Sequence, residues 1–199
     1  MASVASPYGL RPVQLIGGLP FAGAIRSYAL TGNQATAFYF GSIVGLSGGQ
    51  LTTITASPTT TVSANSPIGV FMGCEYQDPV RGFVNAQMFP AGGFNAGYSK
   101  IKFKILDAPG CVWQVQANGP VTADKIGLNV QLATFAVGNT ATGDSTAAAD
   151  AVAAVTATYA LKIVGFVDKA GVSAVGDAFT DLLVIWNAGV HRYAGAAGL

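Results

Sequence analysis

The stretch YSKIKFKIL, residues 98–106, decides how the rest of the chain is read. Lys100, Lys102 and Lys104 alternate with Ile101 and Phe103. A period of two puts successive side chains on opposite faces, so the run predicts an amphipathic strand with one wet face and one buried face. The three lysines are the only basic cluster. They read as the solvated face of that strand, because nucleic-acid binding needs a broader basic footprint. DAPG (107–110) is a turn, with proline and glycine where turns take them. CVWQVQANG (111–119) then alternates again, Val112, Gln114 and Gln116 on one side, Trp113, Val115 and Ala117 on the other.

The same grammar extends in both directions. ATAFYFGSIVGL (35–46) is aromatic and β-branched, PIGVFMGCEY (67–76) reads as a buried strand, and FVNAQMF (83–89) as another. QLTTITASPTTTVSANS (50–66) is rich in threonine, which suits strands and their polar ends. Toward the C-terminus, VQLATFAV (130–137), YALKIVGFVD (159–168) and VGDAFTDLLVIWNAGVHRY (175–193) are strand-like. TADKIGLN (122–129) predicts one short helical turn with Thr122 as cap and Gly127 or Asn129 as stop. Residues 138–158 predict a mostly irregular excursion. Short strands every 8 to 15 residues or so, punctuated by Gly, Pro, Asn and Asp, predict an all-β sandwich or barrel of short antiparallel strands, with at most short helical turns. SIVGL, PIGVFMG and LKIVGFVD share a glycine-punctuated core and suggest three similar edges of one barrel.

Residues 6–30, SPYGLRPVQLIGGLPFAGAIRSYAL, do not fit this grammar. Pro7, Pro12 and Pro20 bar a long helix. The segment predicts an extended N-terminal arm over 1–30 ahead of a β-rich domain over 31–199. Laid along a neighbouring subunit, such an arm can add a strand to an exposed edge. Its prolines lower the entropy lost on docking. Tyr8, Arg11, Leu15, Ile16 and Phe21 are the expected interface anchors, since aromatic and arginine side chains dominate interface energetics. On that reading, removal of residues 1–30 leaves a folded domain that no longer binds. The competing reading packs the segment back on its own domain as edge strand and loop.

Composition points toward association. Hydrophobic residues make up 51% of the 199 and charged residues 10%, where about 25% charged is ordinary for a soluble domain. Too few ionic groups remain to cover the surface, so it is built from small polar residues or covered by another chain. A spanning helix needs about 20 apolar residues in a row, and LLVIW (182–186) is among the longest clean runs. MASVASPYG lacks the charged start and apolar stretch of a signal peptide, so synthesis in a cytoplasm is expected. In that compartment Cys74 and Cys111 are by default buried thiols, with pairing left open.

No catalytic constellation stands out. His191 is the only histidine, followed by Arg192 and Tyr193, and reads as a surface or interface group. Asp177 and Asp181 read as turn and strand-start residues. No metal-ligand spacing, phosphate-cradling loop or nucleophile elbow is present. The chain is therefore expected to be no enzyme and to need no cofactor. Trp113 and Trp186 sit in strand-like runs and are expected in the core. Exposed as stacking platforms, they would instead favour a carbohydrate-binding domain.

Taken together, SPYGLRPVQLIGG, PFAGAIRSYAL, SPIGVFMGCEYQDP, DAPGCVWQVQANGPV, LKIVGFVD and VGDAFTDLLVIWNAG resemble, along nearly the whole chain, small virion structural proteins of tailed bacteriophages. The resemblance implies a capsid decoration, or cement, protein on an icosahedral shell. It further implies major capsid protein and copies of itself as partners, a homotrimer, and the virion as location. Neither nucleic acid nor membrane is expected as a partner. Another virion component, in tail, neck or fibre, is the alternative.

Overall fold

In the structure Ile101, Phe103 and Ile105 are buried while Lys100 and Lys102 are exposed, as the alternation predicts. The structure is a computed structural model. It describes residues 3–23, 25–30, 33–47, 49–54, 58, 66–135, 137–169, 172–191 and 193. Its strands are β1 (Arg11–Leu15), β2 (Ile25–Ala29), β3 (Ile43–Ser47), β4 (Gln50–Thr53), β5 (Pro67–Asp78), β6 (Gly82–Ala86), β7 (Ser99–Leu106), β8 (Cys111–Gln116), β9 (Asn129–Val130), β10 (Leu132–Thr134), β11 (Ala148–Ala149), β12 (Leu161–Phe166) and β13 (Asp181–Trp186). Most of the threonine-rich stretch after Thr53 lies outside the described residues.

The fold is an all-β sandwich of short antiparallel strands. One sheet runs β1-β8-β13-β12-β9 and the other β2-β7-β5-β3-β4, with β6 also paired to β5. The chain leaves the second sheet at the end of β7, turns through residues 107–110, and enters the first as β8. Trp113, Val115, Ile163, Leu182 and Val184 of the first sheet meet Ile43, Val70 and Leu106 of the second in an inter-sheet core. The second sheet has another core on the face turned away from the first sheet, where Phe38, Phe71, Phe89 and Phe103 pack around one another. Phe38 and Phe89 come from loops that exchange backbone hydrogen bonds of 2.9 Å. Part of the second sheet is therefore a middle layer, which is why β5 begins as an unbroken apolar run. Trp113 is fully buried and Trp186 nearly so.

β5 also shows why simple alternation fails along it. Phe71 pairs with Ile105 and Cys74 with Phe103, so Met72 and Gly73 together oppose Lys104. This bulge, with Gly73 at φ 120°, flips the parity. After it, Cys74 and Tyr76 face the aromatic core, and Glu75 and Gln77 face outward.

Several boundaries differ from the sequence reading. The 35–46 run is strand only from Ile43, because Gly41 turns the chain at φ 84°. Residues 83–89 lose their strand after Ala86, and 130–137 divides into β9 and β10. The turn at Ala123–Lys125 is a single 3-10 turn, and the Thr122 hydroxyl donates to Asp124 rather than capping a backbone N–H. The excursion over 138–158 is mostly irregular, with β11 as its one strand among the described residues. The glycine-punctuated echoes are not three edges: β5, β3 and β12 each have strands on both sides.

The largest difference concerns the first thirty residues. Their described part is extended, but it does not project as an arm. β1 pairs with β8 and β2 with β7, each as an edge strand. Leu10 is fully buried in the inter-sheet core. The reason is the one that made an arm plausible, since backbone groups with no partner of their own must find one, and the open edges of β7 and β8 are the nearest. Removing residues 1–30 would therefore strip two core side chains, Leu10 and Leu30, and two strands, rather than release an appendage.

Candidate interaction surface

Proline and glycine divide residues 3–30 into short extended pieces, and each piece is pinned differently. Residues 3–10 cross the first sheet. The Phe179 N–H donates to Ser3 Oγ (2.8 Å). Gln116 holds the backbone at two points, accepting from the Ser6 N–H (2.8 Å) and donating to the Val4 carbonyl (3.2 Å). The chain then passes so close to Gly41 that a Cβ on Gly9 would lie 2.5 Å from the Gly41 carbonyl oxygen. Both positions have positive φ and no room for a side chain.

The five expected anchors divide into two groups. Tyr8 is half-buried and donates its hydroxyl proton to Asp181 Oδ1 (2.9 Å). Burial, then the Asp181 charge, pushes its pKa far up, so it remains a donor. Gln114 donates to the other Asp181 oxygen (3.4 Å), yet burial still raises the pKa of this carboxyl. Leu15 and Phe21 are half-buried against the inter-sheet core. These three side chains fasten the segment to its own sandwich. Arg11 and Ile16 point outward: Arg11 lies over the Tyr8 ring (4.9 Å to its centroid) and pairs with Asp144 (3.4 Å), and Ile16 is 56% exposed.

Ile16 opens a small hairpin in which the Leu15 N–H donates to the Leu19 carbonyl (2.9 Å) and the Ile16 N–H donates to the Gly110 carbonyl (2.8 Å). The hairpin thus sits at the β7–β8 corner. Around it Val13, Leu19 and Ile25 are 43%, 61% and 44% exposed. With Ile16 they are exposed large apolar side chains on or beside the outer strands of both sheets, here termed the rim. Sequence reasoning missed Val13, Leu19 and Ile25. Their signal, large apolar residues beside Pro and Gly in a hairpin, becomes legible only once β1 and β2 are known to be edges. Beyond β1 there is one bridge, Gln14 to Pro20, and beyond β2 no strand among the described residues.

β2 is fastened by a polar cluster. Tyr28 donates to Asp107 (2.9 Å), its hydroxyl meets that of Tyr193 (2.9 Å), and Arg26 reaches the same carboxylate (3.1 Å). His191 stands near this cluster but is buried, not a surface group. Its Nδ1 accepts the Tyr193 N–H (3.2 Å), and burial pushes its pKa down. No serine or cysteine bonds to it among the described residues. Arg192 lies outside them.

Other groups singled out in the sequence are structural. Cys74 and Cys111 are free and buried, Cys74 in the aromatic core and Cys111, on β8 of the first sheet, in the inter-sheet core, with thiols pushed up to about 12 by burial. Asp181 begins β13, and Asp177 accepts the Ala174 N–H in the turn before it (3.0 Å). The buried tryptophans offer no stacking platform. Among the described residues no group of three or more His, Cys, Asp or Glu could hold a metal ion, and no helix is long and apolar enough to cross a membrane.

Fold and surface together define an all-β sandwich whose first thirty residues supply both outer strands on one side and an apolar rim on or beside them. Comparison with protein-family models, curated proteins and solved structures finds no match.

Proposed function

We propose that this chain is a non-enzymatic structural protein of a bacteriophage particle, a decoration protein that binds the major capsid protein and bridges its subunits. The observation that carries the reading is the exposed rim of Val13, Ile16, Leu19 and Ile25 on or beside two edge strands. A surface with few charges and an open, apolar β-edge suits contact with other protein surfaces. A capsid subunit can extend either sheet by a strand while the rim side chains enter pockets beside it. Repetition over a symmetric lattice turns modest contacts into firm attachment, and self-association as a trimer would place three rims on one assembly. The resemblance to virion structural proteins gives the partner its identity.

The test uses purified particles that carry the chain. Quantitative mass spectrometry should count hundreds of copies per particle. A count of a few to a few dozen would move the protein to the tail or neck. The double variant Ile16→Asp/Leu19→Asp, altered only at exposed positions, should melt like the wild type yet fail to sediment with shells lacking the protein. Sedimentation equal to wild type would remove the rim from the mechanism.

A further inference from the structure

Beyond its bulge, β5 joins β2, β6 and β7 in a half-sheet that the first sheet does not cover. Its inner face is closed by the aromatic core. Its outer face carries Lys102 directly opposite Glu75, and Phe83 directly opposite Gln77. Phe83 is 69% exposed, and Phe94 from the 3-10 turn at Gly93–Ala96 reaches the same place. Phe83, Phe94, Leu30 and the stems of Lys100 and Lys102 line a half-open groove of about 400 Å³.

Two observations say what this groove fits. The first is charge. Lys104 is engaged by Glu75 at 2.7 Å, whereas Lys100 and Lys102 form no ion pair among the described residues. Lys102 feels the Glu75 charge opposite it without reaching ion-pair distance, and two cations so placed beside two exposed phenyl rings favour a partner that is both anionic and apolar. The second is backbone strain. Gln77 pairs with Ser99 and Glu75 with Lys102, so Lys100 and Ile101 together oppose Tyr76. In that bulge Lys100 holds φ 52°, the one positive φ at a non-glycine residue among those described. Glycine would take this conformation at less cost, and strain retained at a surface groove points to a use for the side chain.

We infer that this groove docks an extended acidic segment of another protein, with a carboxylate between Lys100 and Lys102 and an apolar side chain between Phe83 and Phe94. Nucleic acid fits poorly, because the basic footprint is two residues wide and Glu75 lies within it. The inference is independent of the shell reading, and its test needs no particle.

The probe is a blocked, fluorophore-labelled six-residue peptide of alternating aspartate and leucine, followed by fluorescence anisotropy. It should bind at low salt and weaken markedly near ~1 M, where the Debye length falls to about 3 Å. Lys100→Gln/Lys102→Gln should weaken it about tenfold, and Phe83→Ser should weaken it as well. Lys100→Gly should lose affinity without a lower melting temperature, the signature of a strained residue kept for binding. The inference is overturned if the acidic peptide fails to bind, if a lysine–leucine peptide binds equally well, or if the double glutamine variant binds like the wild type. Competition by phenylbutyrate as strong as by unlabelled peptide would also overturn it, in favour of a small-molecule site.

Discussion

The two halves of β5 lie on one strand and meet opposite surroundings. Residues 67–71 are buried on both faces, by the first sheet on one side and the aromatic cluster on the other. Residues 74–78 are covered on one face only, and their outer face shows Glu75 and Gln77. The bulge at Gly73 separates the two regimes. The difference teaches that a sheet can be core and surface along a single strand, with the offset between layers deciding where the change falls. The same offset exposes the lysine face of β7 and buries Leu106 at its end.

The sharpest way to break this comparison is to truncate one phenylalanine beside each half, Phe71 on β5 itself and Phe83 on β6 opposite Gln77. Phe71→Ala should cost about 3–5 kcal/mol, because the ring is fully buried among Phe38 and Phe103. Phe83→Ala should stay within about 0.5 kcal/mol, as surface changes do. Urea melts of the two variants check this, and equal losses would mean that the outer face is covered.

Next in size is Leu10→Ala, expected to cost about 2–5 kcal/mol. Leu10 lies outside every strand, yet it is as buried as Trp113. A loss below 1 kcal/mol or so on the same melts would restore the first thirty residues as a dispensable arm.

The smallest effect is on pH dependence. Burial holds the His191 pKa below its usual value, so on acidification the unfolded chain takes up the proton first. This contribution to stability is complete above about pH 6.5 and is lost as pH falls below it. Stability should therefore decline between about pH 7.5 and 5, and His191→Gln should flatten that limb. Asp181 acts with the opposite sign. Its raised pKa means that ionisation above about pH 4 weakens the fold, so Asp181→Asn should remove a loss that develops as pH rises.

Much of the fold was legible because burial imposes a period. The alternation over 98–106 and 111–117 identified β7 and β8, and the inward parity of Trp113, Val115 and Ala117 is the one observed. Of the interaction surface less was legible. Tyr8, Leu15 and Phe21 have the chemistry of anchors, but they anchor the chain to itself. His191 beside Arg192 and Tyr193 has the look of a surface group, yet it lies beneath Tyr193. Large apolar and aromatic side chains serve equally well inside a domain and between domains, and no local pattern distinguishes the two.

The order of amino acids alone determined that this chain forms short strands, that glycine and proline end them, and which parity of β7 meets water. These are nearest-neighbour consequences of backbone sterics and side-chain solubility. Only the tertiary structure decided that residues 3–30 close two sheet edges, that β5 is half core and half surface, and that Lys100 and Lys102 flank two phenyl rings. Each of these depends on which distant segment arrives first at an open edge or a bare face, and free energy of that kind belongs to pairs of segments rather than to either one.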